Sequence, residues 1–216
     1  MELQALGTRV RLDVSVLTDT QVAELRRLWA WCVPADADPA AEPRLEPDIR
    51  LVLGRQPSSG SVQVDVSDWK HAAYRISGAI TIDALLKRVG HDLLFHAAGL
   101  AAPDGSVLVC VGPSGRGKTT AVRALGRTLG YVSDESIAIR ADDSVAAYPK
   151  PLSIKRDGHG HGKWEISPAD AGLVPPPEEL RLGRRQATSA RQRARRTPRN
   201  SRNCTEHSPT LGGTGV

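Results

Sequence analysis

Val107-Leu108-Val109-Cys110-Val111-Gly112-Pro113-Ser114-Gly115-Arg116-Gly117-Lys118-Thr119 passes directly from an apolar run into a glycine-rich loop. The run is apolar at every position and predicts a central strand covered on both faces. The loop fits G-x-x-x-x-G-K-[ST] throughout. Ala121, Val122, Leu125 and Leu129 then recur at helical spacing until Gly130 stops them. Strand, loop and helix in this order form a phosphate cradle, because the glycines let backbone N–H groups point inward and the helix adds its positive N-terminal end. Lys118 is expected to reach β- and γ-phosphate oxygens, and the Thr119 hydroxyl to ligate Mg²⁺. The predicted nucleotide contacts are Gly112, Pro113, Ser114, Gly115, Arg116, Gly117, Lys118, Thr119 and Thr120, with ATP and Mg²⁺ as cofactors.

Such a loop binds a nucleotide without choosing a reaction. Tyr131-Val132-Ser133-Asp134-Glu135 follows the helix at once, so a short strand is expected to return Asp134 and Glu135 to the phosphates. Of two adjacent acids, one can hold a metal while the other accepts a proton from an incoming hydroxyl.

Outward from this centre, Arg9 to Val14 alternates like a half-buried strand, and Thr18 with Gln21 forms a capping-box start for a helix over 19–32. Pro34 to Pro47, with four prolines, reads as a linker or long loop. Ile49–Leu53, Ser61–Val66 and Ala72–Ile76 read as strands, with Pro57 to Gly60 turning between the first two. Leu85, Leu86, Val89 and Leu93 predict a helix over 81–92. Leu94–Leu100 and Ser106–Val111 then flank Asp104-Gly105, a strong hairpin signal.

Net charge, +5 over 216 residues, is unevenly spread. Arg184 to Val216 holds eight arginines and the single acid Glu206, with no lysine and no aromatic residue, so the preceding 183 residues are faintly acidic. That tail cannot bury a core and is expected to be disordered. It reads as out-of-frame sequence, a solvated tail, or a basic arm whose contact with nucleic acid would be nonspecific. Cys32, Cys110 and Cys204 form no CxxC pair and read as plain thiols. No apolar run is long enough to span a membrane, and the N-terminus lacks a signal-peptide pattern, so a cytoplasmic location is expected. Gly158-His159-Gly160-His161-Gly162 reads as a loop covering a substrate in preference to a metal site, and the tryptophans at 29, 31, 69 and 164 as core or contact residues.

The stretch Leu94 to Leu100, the hairpin, the loop and Val132-Ser133-Asp134-Glu135 together resemble the catalytic core of HPr kinase/phosphorylase and its relatives, which share a fold with phosphoenolpyruvate carboxykinase. Pro149 to Lys155 is similar to the continuation in the small HPr-kinase-like proteins of ribosomal peptide pathways, lasso-peptide kinases among them. The resemblance is good from His91 to Arg156. It implies an α/β, phosphoenolpyruvate carboxykinase-like P-loop core over 81–183, behind a small α+β region over 1–80 and before the tail over 184–216. It further implies ATP- and Mg²⁺-dependent phosphorylation of a serine-type hydroxyl on a protein or peptide. Asp134 would then be the catalytic acid/base beside Lys118, Glu135 the metal-associated acid, and His96 the strand histidine near the reacting phosphates. Glu165 would approach the metal with Thr119. His96 also reads as an ordinary hydrogen-bonded histidine on a half-buried strand.

Departures from that family are specific. Glu135 stands for the second Asp, Thr119 for Ser, and Glu165-Ile166 is followed by Ser167-Pro168 where an Arg-Gly signature is expected. The missing Arg-Gly argues against HPr itself as acceptor, and patterning that stops near Gly183 leads us to expect that the fold's last elements are lost. A non-catalytic ATP-binding interaction module, a small-molecule kinase and, last, a nucleic-acid-dependent ATPase are the other classes. The sequence leaves a homo-oligomer open.

Overall fold

The computed structural model describes residues 1–36, 46–53, 61–113, 115–155 and 163–183. The cores of the Pro34–Pro47 and Pro57–Gly60 segments, Ser114, the Gly158–Gly162 run and the tail with Cys204 lie outside them. The architecture is mixed α/β, and 1–183 forms one compact unit.

The N-terminal sheet has four strands in the order β1 (Glu2–Ala5), β2 (Thr8–Asp13), β3 (Ile49–Leu53) and β4 (Ser61–Val64). The first pair is antiparallel and the others parallel. Helix α1 (Asp19–Leu28) starts as its capping box requires: the Thr18 hydroxyl accepts from the Gln21 amide, and the Gln21 side chain accepts from the Thr18 amide. It ends at Leu28, and Ala30–Cys32 continues as a single 3-10 turn.

Helix α2 (Trp69–Arg88) corrects two expectations. Ala72–Ile76 is not a strand but the first turns of a 20-residue helix, which starts at the Asp68 cap and stops before Val89. Its buried positions, Ala72, Ala73, Ile76, Ser77, Ile80, Thr81 and Ala84, keep helical period. Most of them are small, which is why the stripe does not stand out in an apolar-residue scan. This helix runs without a break across residues 80 and 81. One buried cluster joins Leu3, Val10 and Leu51 of the first sheet to Ile76 and Ile80 of α2 and to Ala138, Ala146 and Tyr148 of the second half.

The second sheet runs β12 (Arg181–Leu182), β6 (Ser106–Val111), β5 (Leu93–Ala101), β8 (Ser136–Ile139) and β9 (Val145–Ala146), with β7 (Gly130–Ser133) also pairing β5. The strand with most neighbours is β5, not β6. On one edge its first half pairs β8 and its second half β7; β6 takes the opposite edge. Nor is β6 covered on both faces: Leu108 is 55% and Val111 69% exposed. A continuously apolar run marks β-propensity as much as burial, and here only Val107 is fully inside. Helix α3 (Lys118–Leu125) follows the loop, and β10 (Leu152–Lys155) and β11 (Lys163–Ile166) form a separate antiparallel pair.

Cys32 is buried and Cys110 half-buried, each a free thiol. Trp29 sits fully in the core, whereas Trp164 is 43% exposed under the Lys70 ammonium, 4.7 Å from its ring centre.

Candidate functional site

Strand pairing brings the two motifs together. Ala97 of β5 pairs with Val111, the last residue before the loop, and on its other edge the Ala97 amide donates to the Glu135 carbonyl at 3.0 Å. The start of the glycine-rich loop and the acidic turn therefore flank one residue of β5 from opposite sides, about two strand spacings apart.

Within the loop, Gly115 (φ 80°) and Gly117 (φ 87°) occupy the left-handed region, which a side chain would strain. Gly112 has no positive φ and open space at its Cβ position, so its glycine is not demanded by sterics here. The Lys118 ammonium lies along the loop and donates to the Gly112 (2.7 Å) and Pro113 (3.2 Å) carbonyls. Pro113, Gly115, Arg116 and Thr120 are exposed, while Lys118 and Thr119 are half-buried.

The decisive contact is that of Thr119 with Asp134. The Thr119 hydroxyl donates to Asp134 Oδ2 at 3.4 Å, although the residues belong to different elements. Asp134 is 6% exposed, and its other oxygen faces inward. Oδ1 lies 3.2 Å from the Tyr131 hydroxyl and 3.6 Å from Lys150 Nζ. The Tyr131 hydroxyl is also 3.0 Å from the Lys150 carbonyl and can donate to either oxygen. Burial first, and then the Asp134 charge, push the Tyr131 phenol well above its usual range, so it stays a donor.

Lys150 is 1% exposed and sits among the acids, 3.2 Å from Glu135 Oε2, and it donates to the Pro151 carbonyl at 3.0 Å. Burial disfavours its charge, but Asp134, Glu165 and Glu135 outweigh burial and raise its pKa. Burial likewise opposes ionisation of Glu135, and the Lys150 ammonium reverses this, holding the carboxyl below its ordinary range. Glu165, on β11, accepts from the Ser153 hydroxyl at 2.8 Å through Oε1, while Oε2 is buried without a partner. Burial pushes its carboxyl up to about 7 against the pull of Lys150.

His96 is exposed on β5 opposite Ser136, and shares with Glu135 the lining of a cavity of about 430 Å³ between α2 and β5. Lys118, Thr119, Asp134 and Glu135 thus gather around the middle of β5, where its pairing passes from β8 to β6 and β7, with Glu165 coupled to the acids through the Lys150 charge. Lys150 takes one oxygen of each acid, Oδ1 of Asp134 and Oε2 of Glu135, and Asp134 Oδ2 meets the Thr119 hydroxyl. No group of three or more His, Cys, Asp or Glu side chains is placed to hold a metal among the described residues. Lys150, Tyr131 and Ser153 were not singled out by sequence reasoning. One signal was there: a lone charge between Tyr148-Pro149 and Pro151-Leu152 in a buried run.

Comparison with protein-family models finds none that matches the chain. A stretch of 72 residues is 33% identical to the cytochrome c biogenesis ATP-binding export protein CcmA of Rhizobium meliloti (strain 1021). The match covers 33% of this chain and 33% of that protein, so the chain spans about a third of its relative's length. No helix among the described residues is long and apolar enough to cross a membrane.

Proposed function

We propose that this chain binds ATP with Mg²⁺ at its glycine-rich loop and transfers the γ-phosphoryl group to a hydroxyl on a protein or peptide, as a phosphotransferase of the HPr-kinase-like group built on a phosphoenolpyruvate carboxykinase-like core. The observation that carries this reading is the 3.4 Å contact between Thr119 and Asp134, which sets a buried acid against the threonine of the phosphate loop. The partial similarity to an ATP-binding export protein supports the nucleotide but not the acceptor.

Backbone amides of the loop and the start of α3 would hold the phosphate chain, with Lys118 turning from the loop carbonyls to the β- and γ-oxygens. The residues fit Mg²⁺, which is commonly bound by one or two carboxylates together with substrate phosphates. Thr119 Oγ1 and the half-exposed Glu135 carboxylate would hold the ion, which would neutralise phosphate charge there and leave Asp134 for the acceptor's proton. The acceptor oxygen attacks phosphorus, its bond to the β–γ bridging oxygen breaks, and ADP leaves. The acceptor's proton passes to a carboxylate, Asp134 in this reading. Glu135, half-exposed on the α2/β5 cavity, stands next to it.

Calorimetry with Mg-ATP on the full chain and on Lys118→Ala tests the first half. Binding by the former and at least a tenfold loss in the latter is expected; equal affinity would sink the phosphate-loop assignment. Phosphate release or transfer from ATP tests the second half, and binding with no turnover towards any hydroxyl or water would favour the non-catalytic module.

A further inference from the structure

Lys150 is the one cation buried in the acid cluster among the described residues, and the proposed chemistry does not use it. A buried ammonium is costly unless closely paired. Its backbone is held by prolines on both sides, by its own amide donating to the Tyr148 carbonyl at 2.8 Å, and by the Tyr131 hydroxyl at its carbonyl. Nζ is thereby presented to Asp134 Oδ1 and Glu135 Oε2 at once. Asp134 is consequently gripped by one oxygen only, and the other is left turned towards Thr119.

We infer that Lys150 is a positioning residue, a resident cation that balances Asp134 and Glu135 and keeps Asp134 Oδ2 aimed at the phosphate loop. The inference rests on the proposed function only for the purpose of that aim; charge balance stands without it. Without the ammonium, two adjacent carboxylates, with Glu165 nearby, would be left uncompensated, and a bound proton or a divalent cation would have to balance them.

The test is a double-mutant cycle on the full chain, combining Lys150→Met with Asp134→Asn and with Glu135→Gln, read by thermal unfolding in EDTA and in Mg²⁺ or Mn²⁺. Lys150→Met alone should lower Tm in EDTA by about 10 °C, the usual scale for orphaning a buried charge in a domain of this size. Adding either acid-to-amide change should recover part of that loss, and Lys150→Arg should keep most of the stability. The metal ions should raise Tm more in Lys150→Met than in the wild type. If Lys150→Met does not fold, the triple variant with both amides should, because it carries no uncompensated charge in the pair. Additive losses throughout, with no excess metal effect, would reduce Lys150 to packing and overturn the inference. None of these readouts requires turnover, so failure of the kinase reading, seen as unchanged ATP affinity in Lys118→Ala, is distinguishable from failure of this one.

Discussion

Asp134 and Glu165 show how much a carboxylate's role depends on what faces each of its oxygens. Asp134 divides its two oxygens between Lys150 with Tyr131 on one side and Thr119 on the other. In the proposed reaction, Asp134→Asn keeps the shape but removes the proton acceptor, so phosphoryl transfer should fall by about 10²- to 10⁴-fold with Mg-ATP affinity changed far less. Undiminished transfer in that variant would move the base to Glu135. Glu165 carries a different signature. Its carboxyl ionises at about 7 in the folded chain against 4.5 for the free group. Between those values the folded state holds the extra proton, so stability falls as pH rises through this window and levels off above it. The shift sets an upper bound of about 3 kcal/mol. Glu165→Gln should therefore gain stability over the wild type as pH goes from 5 to 8, as followed by Tm in EDTA. A difference that stays constant with pH would show that Glu165 is charged throughout.

At the scale of elements, α1 and α2 differ in what announces them. The α1 start is local chemistry, with Thr18 and Gln21 exchanging hydrogen bonds through three residues of chain, and the same residues state it in the sequence. Thr18→Ala should cost about 1 kcal/mol, or roughly 3 °C of Tm for a chain of this size. A thermal scan showing no loss would mean the cap is idle. Half of α2 is invisible to an apolar-residue scan because four of its buried positions, Ala72, Ala73, Ser77 and Ala84, carry small side chains. Short segments such as Ala72–Ile76 are ambiguous between strand and helix until length and partners decide. Ile76→Ala should cost about 2–5 kcal/mol as a buried large-to-small change. Urea unfolding would measure it, and a loss below 1 kcal/mol would mean the site collapses to fill the gap.

The whole molecule is organised by a core that ignores the division at residue 80, since Leu3, Ile80 and Tyr148 belong to one buried cluster. Unfolding of the first 183 residues should accordingly be one transition, with tryptophan fluorescence and far-ultraviolet circular dichroism coinciding. Residues 184–216 carry a charge of +7 with Leu211 and Val216 as their only large aliphatics. Removing them should leave Tm unchanged or raised, because almost no apolar surface goes with them; unfolding of the shortened chain would refute this. The glycine-rich loop, the capping box, the Asp-Gly hairpin and the strands β2 to β7 were legible in the sequence, because each depends on residues a few positions apart. Gly115 and Gly117 take φ values of 80° and 87° that a residue with a side chain rarely adopts. The centre of the sheet, the open face of β6 and the gathering of Thr119, Asp134 and Lys150 were decided only in the tertiary structure. Those features rest on which strands pair and in which register, and on a buried charge meeting partners fifteen or more residues away, which no local pattern records.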